Sequence, residues 1–199
     1  MKTEVLEIIE IDSNLESKIR YEVNAGNIIG VSTDTVFGLA FDAGNEKALH
    51  NIAEIKKRDN ELFTYHIADI SQLLDSELKF NENVIDYIEA YMPGAVTFII
   101  PDADDDNTYG IRMPANVLSR QFFSLFPFPS VVATSCNLSG KQSLTERDDI
   151  VDFLDGRVPL ILFEKGIAAE NIPSTIIQID NDLNKKCIRE GVLTISEFL

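Results

Sequence analysis

Three hydroxyls and a carboxylate stand in a row at Ser32-Thr33-Asp34-Thr35, followed by Val36-Phe37-Gly38-Leu39-Ala40. They come directly after the apolar run 28–31, which reads as a strand, and strand ends of this kind are where α/β proteins meet ligands. The hydroxyls offer donors and acceptors, and Asp34 could hold the loop by Asx-type bonding. A polar strand-to-turn junction with a glycine for backbone clearance would read the same way. The design recurs at Thr134-Ser135-Cys136-Asn137-Leu138-Ser139-Gly140. There Asn137 can read a base edge or hold a sugar or phosphate, and a turn rich in Asx and Ser motifs is the alternative. Pro173-Ser174-Thr175 opens another strand with hydroxyls, and Arg189-Glu190-Gly191 closes the last one with a cation and a glycine.

The cations narrow the chemistry. Lys56-Lys57-Arg58 ends a helix, where it either complements the dipole, by ~0.3–1 kcal/mol, or clamps a phosphate. Lys56 and Arg58 can face one ligand only if the helix ends there. Arg112 lies inside the strand-like run Tyr109-Gly110-Ile111-Arg112-Met113-Pro114. It must be paired with a carboxylate or face a cavity, because an unpaired buried charge is costly. His66 lies within a strand-like stretch, where a lone histidine is more often structural. Cys136 has no base nearby in sequence and reads as apolar filler. No Walker loop, dinucleotide fingerprint, Ser–His–Asp order or Cys/His metal spacing occurs. The pattern left is strand ends bearing Ser, Thr, Asn, Lys and Arg, which suits a nucleotide and a small polar molecule in one concave site.

Alternation over 4–11 predicts a half-buried strand, and further strands are expected at 27–31, 63–68, 96–100, 109–112, 130–134, 160–163, 175–179 and 186–189. Ser13 and Glu16 have capping-box spacing before a helix over 15–25 that Gly26 ends. Asn45 is expected to cap a helix over 46–56, and Thr145 one over 146–154, with other helices at 83–91 and 117–126. Several connections are too short for helical crossovers. The expectation is therefore one α/β (α+β) domain over 1–199, with a twisted mixed parallel and antiparallel sheet and flanking helices.

At 199 residues and 45% hydrophobic, the chain can bury a full core. Its formal charge of −16 argues against a broad phosphate-gripping surface while allowing a few cations inside a pocket. Cys136 and Cys187 lie far apart, and no signal-peptide pattern opens the sequence, so reduced thiols in a cytoplasmic protein are expected. No apolar stretch approaches the ~20 residues of a membrane span.

Seven of these segments resemble, in order, the motifs of the YrdC/TsaC family of threonylcarbamoyl-AMP synthases. They are 32–40 (Pro-Thr-x-Thr-Val-Tyr-Gly-Leu in the family), 56–58 (Lys-x-Arg), 93–97, 111–114 (Val-Arg-x-Pro), 135–140 (Ser-x-Asn-x-Ser-Gly), 173–175 and 189–191. The resemblance covers nearly the whole chain and implies a concave, positively charged cavity. It also implies the reaction of L-threonine, bicarbonate and ATP to threonylcarbamoyl-AMP and pyrophosphate, for modification of tRNA by a separate transferase complex. On this resemblance Lys56, Asn60, Thr108, Ser135, Asn137, Thr145 and Arg189 are ATP contacts. Thr33, His66, Arg112 and Ser174 are threonine contacts, and Lys56, Arg58 and Arg112 supply the catalytic charge. Mg²⁺ would arrive with ATP, with no protein ligands and no prosthetic group, and direct tRNA binding would be weak or absent. Ser32 and Phe37 stand where the family has Pro and Tyr, the Pro after Arg58 is missing, and 59–65 lacks the Pro-Leu before His66. On this reading a single domain is expected, without the further C-terminal domain some members carry. The alternatives are a related carbamoyl-adenylate enzyme and a nucleotide- or RNA-binding protein of the same fold without synthase activity.

Overall fold

The computed structural model describes residues 1–57, 63–104, 107–166 and 169–198. Along these the elements run β1 (Glu4–Ile8), α1 (Ser13–Asn24), β2 (Ile29–Val31), β3 (Gly38–Asp42), α2 (Glu46–Lys56), β4 (Thr64–His66), α3 (Ser71–Leu74) and α4 (Glu82–Glu89). Then follow β5 (Val96–Pro101), β6 (Thr108–Arg112), α5 (Val117–Ser124), β7 (Val131–Ser135), α6 (Arg147–Leu154), β8 (Leu160–Glu164), β9 (Thr175–Ile179) and β10 (Lys185–Arg189). A 3₁₀ turn, Ile195–Glu197, comes last.

All ten strands join one sheet in the order β1-β8-β2-β3-β7-β4-β6-β5-β9-β10. The expected mixture is present. β1–β8, β8–β2, β4–β6 and β5–β9 pair in parallel, and the other neighbours pair antiparallel. Successive residues of the central strands enter opposite cores, as a period of two requires. Leu160 and Leu162 join Ile19, Val23, Leu118 and Phe122 on the α1 and α5 side. Ile161 instead joins Ile52, Ile55, Ile150 and Leu154 on the α2 and α6 side. α4 covers β5, β6 and β9 with Val84, Ile85 and Ile88.

β3 lies outside the strands expected from sequence. Leu39 and Phe41 enter one core and Ala40 the other, so both faces are covered and no polar alternation marks the strand. Two expected caps also move. Asp12, not Ser13, caps α1, its carboxylate accepting from the Leu15 N–H at 2.8 Å. α6 begins at Arg147 without a side-chain cap, and the Thr145 hydroxyl reaches only the Glu146 carboxylate. Asn45 does cap α2, accepting from the Lys47 and Ala48 N–H groups, and Gly26 adopts φ +74° after α1. α2 stops at Lys56 because Lys57 turns left-handed at φ 56°. The helix thus ends where a shared ligand for Lys56 and Arg58 would require.

Candidate active site

The sheet brings the polar strand ends to one place. In register, Val31 faces Gly38, Gly38 faces Ser135, Thr64 faces Ala133, His66 faces Arg112, and Val96 faces Thr175. Around them opens a cavity of about 200 Å³ whose wall includes Thr33, His66, Arg112, Ser135, Ser174 and Arg189, together with Thr35, Thr64, Thr97 and Thr134. The charge pattern is inverted relative to the chain. With 33 acidic against 17 basic residues overall, the described wall holds two arginines and no carboxylate.

Arg112 ends β6 and is 4% exposed. The sequence demanded either an ion pair or a cavity, and the fold provides both. One terminal nitrogen donates to Asp34 Oδ1 at 2.6 Å, the other to Thr35 Oγ1 at 2.6 Å, and Nε reaches the Gly94 carbonyl at 3.4 Å. Burial pulls the Arg112 pKa down; Asp34 opposes that shift and the nearby Arg189 adds to it. Asp34 therefore works through its ion pair, and Thr33 holds the loop. The Thr33 hydroxyl donates to the Val36 carbonyl and accepts from the Thr35 N–H.

His66 follows in the next strand. Its Nδ1 lies 3.0 Å from the Thr64 carbonyl, and its ring stacks on Phe123 at 4.8 Å. Burial, and secondarily the charge of Arg112, push its pKa down to about 3. The ring is neutral at ordinary pH. Because a carbonyl can only accept, Nδ1 carries the proton and Nε2 is left as an acceptor.

Arg189 arrives through a register shift between Cys187 and Arg189 in the β9–β10 pair, the kind of bulge that re-aims a side chain. Its Nε and a terminal nitrogen donate to the Ser174 carbonyl at 3.2 and 2.8 Å. The Ser174 hydroxyl meets Thr97 Oγ1 at 2.9 Å. A Cβ on Gly191 would lie 2.1 Å from the Pro173 carbonyl, so only glycine lets the chain leaving β10 press against this wall.

Lys56 sits behind the wall. It is 1% exposed, and its ammonium donates to the Ser135 carbonyl at 2.8 Å, to Asn137 Oδ1 at 3.2 Å and to Thr134 Oγ1 at 3.3 Å. Asn137 donates onward to the Leu138 and Lys141 carbonyls. Lys56 and Asn137 thus shape the loop that presents Thr134 and Ser135. Burial raises the Cys136 thiol to about 12, which suits its reading as filler.

Thr145 lines a second cavity of about 330 Å³ with Phe37, Arg147, Phe163 and Glu164, and Thr33 borders both cavities. Arg147 lies over the Phe163 ring at 5.0 Å, and Phe163 meets Phe37 at 4.9 Å. Thr108 is exposed at the start of β6, paired with Pro101 and outside the described wall. Arg58 and Asn60 lie outside the described residues. Sequence reasoning missed Asp34 as a partner of Arg112, and it missed Thr97. The signal for Thr97 was available: a hydroxyl inside the otherwise apolar Val96–Pro101 strand needs a buried partner. Among the described residues no three His, Cys, Asp or Glu side chains cluster as a metal cage, and no helix is long and apolar enough to cross a membrane.

The profile of the Sua5_yciO_yrdC family, described as telomere recombination, matches residues 22–191. A Methanocaldococcus jannaschii protein provisionally named a threonylcarbamoyl-AMP synthase is 30% identical over 209 residues, covering 100% of this chain and 98% of its own length. The Bacillus subtilis threonylcarbamoyl-AMP synthase is 34% identical over 84% of this chain, which spans 50% of that protein. Among solved structures, Pyrococcus abyssi Sua5 complexed with L-threonine superposes with a TM-score of 0.79 at 25% identity, covering 98% of this chain and 59% of Sua5. Escherichia coli YciO shares the fold, with a TM-score of 0.80 at 24% identity over 99% of this chain and 100% of its own.

Proposed function

Since the chain belongs to the Sua5/YciO/YrdC family, we propose that it is an L-threonylcarbamoyladenylate synthase. It would join L-threonine, bicarbonate and ATP into threonylcarbamoyl-AMP and pyrophosphate. The observation that carries this reading is the inverted wall: two arginines and a set of hydroxyls around one concave cavity, with no carboxylate in the described lining. Such a wall suits a small amino acid bound by its carboxylate beside an anionic nucleotide.

The geometry supports the division of labour that the resemblance implies. Arg112 takes the threonine carboxylate, with Thr33, Ser174 and the Nε2 acceptor of His66 around the rest of the molecule. Arg189, with Ser135 and the loop held by Lys56 and Asn137, faces the phosphates. The flat Phe163–Arg147 pair beside Thr145 in the second cavity suits the base. The carbamate forms from the threonine amine and bicarbonate with loss of water; its oxygen then attacks the α-phosphorus, the bond from that phosphorus to the bridging oxygen breaks, and pyrophosphate leaves. Such a transfer needs positioning and charge neutralisation rather than a nucleophilic side chain. Mg²⁺ bound to the triphosphate would offset part of its charge; the described wall is cationic and hydroxylated, which fits a metal that travels with its nucleotide. The two free cysteines suit a cytoplasmic setting, and the product would pass to a separate transferase that modifies tRNA.

Purified protein incubated with ATP, bicarbonate and labelled L-threonine should release pyrophosphate only with threonine, and mass spectrometry should find the adenylate. A folded protein giving no product above a no-enzyme control would contradict the synthase reading.

A further inference from the structure

We propose that Asp34 is the positioning residue for Arg112: it stands behind the cavity wall, fixes the guanidinium and thereby sets the affinity for the amino-acid substrate. This rests on the synthase reading above and adds to it a residue that need not touch either substrate.

The ion pair is short and sheltered, at 2.6 Å, with the two side chains 5% and 16% exposed. Arg112, Thr33 and Thr35 line the cavity, whereas Asp34 is not part of the described wall. Asp34 is itself held from its backbone. Its carbonyl accepts from the Glu170 N–H at 3.0 Å, and the Thr35 carbonyl accepts from the Asn171 N–H at 2.8 Å. Upstream, the Ser32 carbonyl accepts from Asn116 and Ser119, and the Ser32 hydroxyl accepts from the Glu164 N–H. A serine thus ties down the loop at the position where the family motif has proline, which has no side-chain acceptor.

A guanidinium carries five N–H donors in a rigid fork. The contacts to Gly94, Thr35 and Asp34 engage Nε and one N–H on each terminal nitrogen. Each terminal nitrogen keeps a second N–H for a ligand. Asp34 has a further task, because Arg189 exerts like-charge pressure on Arg112. Without a local anion, a buried guanidinium would move toward solvent or recruit the substrate carboxylate in an unproductive pose.

The test varies L-threonine and ATP separately for the wild type, Asp34→Asn and Asp34→Glu. Asp34→Asn should raise the KM for threonine about tenfold, as expected for losing one charge-assisted hydrogen bond. Its KM for ATP should stay close to wild type even though its melting midpoint falls, since the buried guanidinium loses its anion, and Asp34→Glu should recover part of the threonine loss. An unchanged threonine KM would overturn the proposal. So would a lowered one, which would make Asp34 a competitor of the substrate carboxylate. An equal loss of ATP and threonine affinity would mean a merely structural role and would overturn the proposal. Side-chain ¹⁵N NMR of Arg112 without substrate separates this claim from the synthase reading. Restricted rotation should give resolved terminal-nitrogen signals in the wild type that average in Asp34→Asn. If the wild type makes no adenylate, the synthase reading fails while this spectrum still decides the positioning claim; signals identical in both proteins would refute it.

Discussion

Arg112 and Lys56 are both buried cations at the ends of regular elements, yet they stand differently to the described cavity wall. Arg112 meets a carboxylate, Asp34, and stays in the cavity wall. Lys56 donates to the carbonyl, amide and hydroxyl oxygens of the loop 134–137 and stands behind the wall. The difference follows from the two head groups. A planar fork can satisfy protein partners on some edges and keep others for a ligand, whereas a compact ammonium has only three donors, and here the loop 134–137 accepts from it. On the proposed function, the first cation recognises the substrate and the second braces the loop.

The brace can be broken first. Lys56→Met keeps the stem and removes the ammonium, leaving buried oxygens without a donor at about 1–3 kcal/mol each. A stability loss of roughly 3 kcal/mol is therefore expected, seen as a lower denaturation midpoint, with weakened ATP binding and little direct effect on threonine. If stability held while threonine binding collapsed, the assignment of the two cations would be reversed.

A smaller effect sharpens the recognition side. His66 has its folded pKa near 3, below the ordinary value of about 6.5. Between these values the unfolded chain binds the extra proton, so stability is full above about pH 6.5 and falls as pH drops toward 3. His66→Gln should shrink the difference in melting midpoint between pH 7 and pH 5. An unchanged difference would mean that the histidine is not held neutral beside Arg112.

Much of this was legible in the sequence because burial on two faces, helix caps and strand-end hydroxyls leave local marks. Asn45, Gly26 and the central strands are examples. Arg112 was legible because a charge in an apolar strand demands an explanation. Its partner was not, since Asp34 lies 78 positions away and only the sheet order β2-β3-β7-β4-β6 with the neighbouring loops brings them together. β3 was hidden because residues buried on both faces lose their alternation. Thr145 looked like a cap from its spacing, but a hydroxyl can equally face a cavity, and only the third dimension distinguishes the two.

The central claim is that Arg112 grips a carboxylate. Calorimetric titration of the wild type and Arg112→Ala with L-threonine and with L-threoninol, which replaces the carboxylate by a hydroxymethyl group, tests it directly. The wild type should prefer threonine by about 100-fold, the scale of a charge-assisted bidentate contact, and Arg112→Ala should bind both equally weakly. A preference that survives in Arg112→Ala, or is missing from the wild type, would contradict the account.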